Sequence, residues 1–486
     1  MSHEEQVGKN FAWGFFSQLV TRIFGLVFFV FMSHILLEKG MGQFNFIASF
    51  VAFWFIFSDF GISSYLYREW SKGILTLEQI KHDFNLVLTM KIVMSGVIFV
   101  PFCIVNWFIN RDIFLALILY FIFVILTLVV SQLESYLNSI NNFKFGAIRS
   151  LFEKAIIIFV GGITLLFIPK VEAIFFAMIL AQVVSLFYYF SGHFPFFPSF
   201  LIEWKDAKVL IKKGLPFAFF TIFISVYGRI DMVMLKFMQN FETVGWYSAG
   251  YKAYEIANIF PGILFLPAIF PTLSRVFNLE SREKFRDFFD SSLRILFTTS
   301  LFLTVFFIFF APYAVDWFFP SSFVPSILTM RIVVLVLTIS SLSGLFNALL
   351  IIQNKEKFSL KIIMISCLAN ILLNLVLIPK YSLYGAAWAT VIAEGLNLFL
   401  LQYYADWDKD KKMLFKMFFL LGILAVSFSL IKIFGYLNNV WVAAVTLVLT
   451  TASFWCFGLI KKSDLYIFYA PFKNKFKLLF FNQDEI

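Results

Sequence analysis

The sequence predicts an all-α polytopic membrane protein with about fourteen transmembrane helices. They form two six-helix bundles related as parallel repeats, plus two C-terminal helices. Composition is the first reason: 61% of residues are hydrophobic, 14% are charged, and mean hydropathy is +0.87. Soluble domains are about 45–50% apolar and about 25% charged. The apolar residues also fall in long runs, each near the roughly 20 residues that span a bilayer as a helix. Finally, the basic residues alternate between successive loops.

The runs fall at 11–37, 44–66, 84–109, 113–138, 145–168, 171–192, 214–238, 245–273, 294–318, 323–352, 358–378, 380–404, 414–435 and 439–460. The first eleven residues are polar and the first run is too long for a signal-peptide core, so it reads as a retained span. Cys103, Cys367 and Cys456 each lie in a different run and read as small packing residues.

Numbered from an inside N-terminus, most of the 39 lysines and arginines fall in inside segments, such as Lys205, Lys208, Lys212 and Lys213. The opposite side holds Lys39, Arg111, Lys170, Lys236 and Lys380. The positive-inside rule then puts both termini in the cytoplasm. The net charge of +10 is thereby explained by topology, and no nucleic-acid partner is expected.

No loop is long enough for a folded soluble domain. Near 274–293, Phe285, Phe288 and Phe289 recur at helical spacing among Arg282, Lys284, Arg286 and Asp287. This reads as a short helix on the inner leaflet. The tail, with Lys473, Lys475 and Lys477, reads the same way.

The chain repeats itself. Ile168-Pro169-Lys170 followed by Ala177–Gln182 matches Ile378-Pro379-Lys380 followed by Ala389–Glu394. Gly42-Gln43-Phe44 matches Gly245-Trp246-Tyr247, and Asn141-Asn142-Phe143-Lys144-Phe145 matches Asn354-Lys355-Glu356-Lys357-Phe358. The offsets drift between about 203 and 213 residues, consistent with duplication of six spans. The expected organisation is a bundle over 1–192, a cytoplasmic linker over 193–213, a second bundle over 214–404, and two helices with a basic tail over 405–486.

Ionised side chains at membrane depth cost roughly 2.5–3.5 kcal/mol or more, so they usually face protein or a water cavity and mark a pathway. Asp59, Glu134, Lys91, Arg149, Glu153 and Lys154 lie toward cytoplasmic ends. There the lysines and Arg149 are expected to snorkel, with an Arg149–Glu153 pair at i,i+4. Arg22, Arg229, Asp231, Lys252, Glu255 and Glu394 lie deeper. Arg229 and Asp231, two apart, point to different faces of one helix and need separate partners. Lys252 and Glu255, three apart, share a face, and Lys252 has Asp231 as an alternative partner. Glu394 replaces Gln182 of the first half, so charge is not needed there for folding. Either interhelical pairing or a cavity-facing role fits these six.

Pro261, Pro267 and Pro271 should bend or break their span, with Pro261 as a candidate hinge. Asn370 and Asn374 are expected to bridge helices. No GxxxxGK[ST], HExxH or Cys/His cluster occurs, so no metal, cofactor or enzymatic activity is expected.

Gly214-Leu215-Pro216, Tyr227-Gly228-Arg229-Ile230-Asp231 and Val244-Gly245-Trp246-Tyr247-Ser248-Ala249 with Lys252 and Glu255 carry a resemblance. Asn370, Asn374, Ile378-Pro379, Gly385-Ala386-Ala387 and Ala389-Thr390 with Glu394 extend it over essentially the whole chain. The sequence resembles the Wzx-type (O-antigen) polysaccharide flippases of the multidrug/oligosaccharidyl-lipid/polysaccharide exporter superfamily. That resemblance implies transfer of an undecaprenyl-diphosphate-linked oligosaccharide from the inner to the outer leaflet by alternating access around a cationic cleft. Arg22, Arg229 and Lys252 match a diphosphate-binding role. Asp231, Glu255 and Glu394 match coupling to H+ or Na+, or helix pairing. Membrane lipids, a polysaccharide polymerase and chain-length proteins are the further partners it implies. A cation-coupled drug exporter would want a net acidic cleft. A peptidoglycan lipid flippase shares the span count, and a glycan polymerase usually carries a large external loop that is missing here.

Overall fold

A computed structural model describes residues 3–140, 142–407, 417, 420–422 and 439–459, with side chains described from Val20 onward except those of Phe57 and Ile263. The run at 414–435 lies largely outside the described residues, and the basic tail entirely so. Within them the chain is all-helical, with no strand.

Two helices exceed any bilayer. Helix α1, His3–Asp59, has 57 residues, which at 1.5 Å per residue would extend about 85 Å against a hydrocarbon core of about 30 Å. It breaks at Leu37, where φ is 54°. The other is α13, introduced below. Between them α2 covers Ile62–Trp70, α3 Leu77–Ile109, α4 Phe114–Ser139, α5 Phe143–Phe167, α6 Val171–Tyr188 and α7 Trp204–Met238. Then follow α8 (Phe241–Ala257), a π-helical turn (Ile259–Phe265) and α9 (Leu266–Leu279). The chain continues as α10 (Arg282–Phe318), α11 (Ser326–Val333), α12 (Leu335–Ile352), α13 (Glu356–Tyr404) and α14 (Val440–Cys456).

Helix α13 breaks at Ser382, where φ is 52°. A Cβ on Gly385 would lie 2.2 Å from the Leu377 carbonyl oxygen. Residues eight apart on a continuing helix are separated by about 12 Å, so the chain doubles back here. The Ile378-Pro379-Lys380 string therefore marks a helical hairpin, as Ile168-Pro169-Lys170 does between α5 and α6. Among the described residues, ten helices are long and apolar enough to span, and α1 and α13, each carrying a break, are two of them. This fixes the polytopic class without fixing a count of fourteen.

By internal contacts the chain forms two compact units, Met1–Gly245 and Trp246–Ile486. The first unit has a core of Leu66 and Trp70 of α2, Phe84 and Val87 of α3, Leu133 and Leu137 of α4, and Tyr189. It also holds a backbone-to-backbone crossing of the two repeat-equivalent glycines. A Cβ on Gly42 would lie 1.7 Å from the Phe241 carbonyl oxygen, and one on Gly245 2.0 Å from that of Glu38. No residue with a side chain fits either place.

The core of the second unit gathers Phe289 and Phe297 of α10, Phe346 and Leu349 of α12, Leu401 of α13, Trp407 and Phe454 of α14. This corrects one sequence expectation. Phe285 and Phe289 do not lie on a separate membrane-surface helix. They are buried in the first turns of α10, which runs unbroken for 37 residues. Their helical periodicity was genuine, but the apolar stripe faces protein. The three prolines do interrupt their span: α8 ends at Ala257, and the π-helical turn containing the buried Pro261 precedes α9. A proline cannot donate the helical hydrogen bond, which accounts for the widened turn.

Candidate functional site

In the first unit, α7 presents Arg229 outward while Asp231 is buried, 6% exposed. Two residues turn a helix by about 200°, which is why one side chain faces out and the other in. The Arg229 charge reaches the hydroxyl of Tyr120 on α4. Tyr120 stacks edge-on against Phe175 of α6 at 4.9 Å, and Phe175 stacks on Phe44 of α1 at 5.5 Å. The Arg229 charge thus acts on a set of packed aromatic rings drawn from three helices. Arg22 is exposed on α1 of the same unit. Its neighbours Ile23 and Phe24 are 50% and 46% exposed.

The other intramembrane charges of this unit are held in networks. Arg149 of α5 donates through Nε to Glu134 of α4 at 2.5 Å and through its other arm to Glu153. The Tyr189 hydroxyl donates to the same Glu134 oxygen at 3.0 Å, and Lys154 lies 3.5 Å from Glu153. The second network centres on Lys91 of α3. Its ammonium donates to Gln132 at 2.7 Å and pairs with Asp59 at 3.1 Å, while Ser63 donates to Asp59. Lys91 is 3% exposed, so the expectation that it snorkels to the surface is corrected. Its stem is enclosed by α1, α3 and α4, and partners at depth replace the water it would otherwise seek.

In the second unit Lys252 and Glu255 form an ion pair of 2.5 Å along α8. Between them in sequence, Tyr254 donates to Ser340 of α12 at 3.3 Å and feels the charges of both Glu255 and Glu394. Glu394 of α13 is buried and accepts from Asn397 at 3.2 Å. Farther along α8, the Tyr247 hydroxyl meets Thr390 of α13 at 3.4 Å. Tyr247, Tyr251 and Tyr254 make a ladder, with ring centroids 6.1 and 5.2 Å apart. Their i, i+4, i+7 spacing was the sequence signal for Tyr254, which the charge-led reading passed over. Asn370 and Asn374 bond to each other along α13 at 3.1 Å.

Among the described residues, one grouping brings three metal-type ligands close: His82, Glu203 and Asp206, with ligand atoms within 4.8 Å. His82 lies 3.3 Å from Glu203, the residue just before α7, so the contact ties the start of that helix to α3. Carboxylates in the first turn of a helix are explained by its dipole without an ion.

A family model described as "Polysaccharide biosynthesis protein" matches residues 7–277, more than half of the chain. No curated protein matches the sequence. Among solved structures, "Lipid II flippase MurJ, inward closed conformation" is 16% identical with a TM-score of 0.69, covering 94% of this chain and 99% of that one. An inward-facing multidrug resistance MATE family transporter of the MOP superfamily is 13% identical with a TM-score of 0.61, covering 79% and 94%. The MATE multidrug transporter DinF-BH is 15% identical with a TM-score of 0.59, covering 83% and 95%. At these identities the likeness establishes the fold. The all-helical, membrane-spanning chain therefore belongs to the polysaccharide biosynthesis protein family, on the fold shared by MurJ and the MATE transporters.

Proposed function

We propose that this protein translocates an undecaprenyl-diphosphate-linked oligosaccharide repeat unit from the inner to the outer leaflet of the bacterial cytoplasmic membrane, for polysaccharide synthesis. Family membership supports a lipid-linked cargo, and the fold supports a carrier rather than an enzyme. The observation that carries the reading further is the exposed Arg229, with Arg22 exposed in the same unit. Guanidinium groups suit a diphosphate through paired, charge-assisted hydrogen bonds. Lys252, in the second unit, is assigned the same kind of role, exchanging Glu255 for the cargo.

Coupling to H+ or Na+ is assigned to Asp231, Glu255 and Glu394, with Tyr254 between the last two, and gating to the turn at Pro261. The bundles 1–192 and 214–404, the linker 193–213 and the segment 405–486 are the working parts of this scheme. Both termini face the cytoplasm, and membrane lipids, a polymerase and chain-length proteins are its partners. A cation-coupled drug exporter is the second reading, favoured by the MATE likeness and by the two carboxylates around Tyr254.

Deletion in a strain without a redundant flippase should trap lipid-linked repeat units on the inner leaflet. The wild-type gene should restore export, and Arg229→Ala should not. Normal exposure of the repeat units after deletion overturns the reading. Restored drug efflux without restored polysaccharide would select the exporter.

A further inference from the structure

At one end of the second unit, α9 stops at Leu279, α10 starts at Arg282, and a turn after α12 leads into α13. Between them lies a cavity of about 470 Å³, within the roughly 300–1,000 Å³ typical of small-molecule sites. Positive-inside counting assigns this end to the cytoplasm.

The lining is cationic from two directions. Arg282 and Arg286 stand one turn apart on the first turns of α10, and Lys355 comes from the turn before α13. Lys355 is half-buried and its ammonium donates to the Tyr404 carbonyl at 3.2 Å, which fixes its position. Arg286 is exposed and makes no ion pair among the described residues. The opening turn of α10, capped by Ser281, adds backbone N–H groups and the positive end of a 37-residue helix dipole. Two carboxylates also line the cavity, Glu280 and Asp406. Glu280 is engaged by Lys284 at 2.8 Å, a hydrogen bond that holds its carboxyl below the usual range. Asp406 is anchored through its main chain, which exchanges two hydrogen bonds with the Gln353 amide at 2.6 and 3.1 Å.

The remaining wall is aromatic. Trp407 is buried and its indole donates to Asp290 at 3.2 Å, so that ring is rigid. Phe277, 37% exposed, packs edge-on against Phe285 at 5.1 Å and completes the apolar wall. A basic pocket with an aromatic wall at the end of membrane helices suits a phosphate-bearing amphiphile.

We propose that this cavity binds a phosphate group, carried by the headgroup of an anionic phospholipid, with Arg282, Arg286 and Lys355 as its ligands. The site uses none of the residues assigned to the cargo, so it stands or falls separately from the proposed function.

The test is lipid retention by purified full-length protein, measured by native mass spectrometry and by melting in nanodiscs of phosphatidylglycerol or phosphatidylcholine. Wild type should retain phosphatidylglycerol preferentially and melt higher in it. Each neutralised cation should weaken that preference by about fivefold, first in Arg286→Gln and further in a triple Arg282→Gln, Arg286→Gln, Lys355→Gln variant. Lys208→Gln, an exposed lysine outside the lining, should behave as wild type. Inorganic phosphate is a separate arm. Stabilisation by phosphate alone, lost in the triple variant, assigns the same site to a soluble phosphate compound instead of a lipid. Equal lipid retention and equal phosphate response in wild type and triple variant overturn the proposal. Because Arg286 lies at the surface, melting of Arg286→Gln in phosphatidylcholine should match wild type, and this variant alone decides the matter if the triple variant fails to fold.

Discussion

One charge cluster from each unit shows two ways of holding charge. In the first, Arg149 ties Glu134 of α4 to Glu153 of α5, and these three side chains are 11%, 22% and 10% exposed. In the second, Lys252 and Glu255 pair within one helix, with side chains 24% and 42% exposed. A charge network that joins helices is architecture, because separating its members leaves an ion in a low-dielectric interior. A pair on one half-exposed helix face can open without moving any helix. The contrast therefore sorts ionisable residues that hold the bundle from those available to a cargo or a coupling ion.

The sharpest way to break this comparison is Arg149→Met. It strands two carboxylates, and breaking a buried pair costs about 3–5 kcal/mol, so a marked fall in melting temperature is expected. An unchanged melting temperature would remove the architectural reading of that network. Next in size is Lys91→Met, which leaves Asp59 without its ammonium. Adding Asp59→Asn should recover part of the loss, with a coupling in the range of about 0.5–3 kcal/mol, read from a double-mutant cycle in the same detergent. Additive effects would mean that the 3.1 Å contact carries no energy.

A smaller effect belongs to the second unit. Lys252→Met should change stability by less than about 1 kcal/mol, as for exposed pairs, while transport of lipid-linked cargo falls. A large stability loss there would erase the difference between the two clusters. Smallest of all is Arg229→Ala, expected within about ±0.5 kcal/mol because the side chain is exposed. Its consequence should appear only as weaker binding of a prenyl diphosphate. Asp231→Asn should spare that binding.

Much of the fold was legible because the bilayer imposes a coarse rule on sequence: spanning segments must be long, apolar and helical. The same rule hid other features. Phe285 and Phe289 have a membrane-surface pattern, yet α10 buries them in protein, since an apolar stripe cannot say whether lipid or helix will cover it. Lys91 looked shallow by position, but its partner Gln132 lies 41 residues away on another helix. The Arg149–Glu153 pair was visible at i,i+4, whereas Glu134 and Tyr189 enter only when α4 and the end of α6 converge on it. Tyr120 and Tyr254 were missed for the same reason: an aromatic residue among many gains meaning from the charge beside it.

By itself the sequence determined the membrane class, the hairpins at Ile168-Pro169-Lys170 and Ile378-Pro379-Lys380, the break around Pro261 and the separation of Arg229 from Asp231. Each follows from local physics: hydropathy over one span, proline's missing N–H, or the turn of a helix. Tertiary structure alone decided which charges are enclosed, because burial and pairing depend on helices distant in sequence. It also decided why Gly42 and Gly245 are glycines. Two backbones cross there at a distance that admits no Cβ, a constraint that exists only once the helices meet.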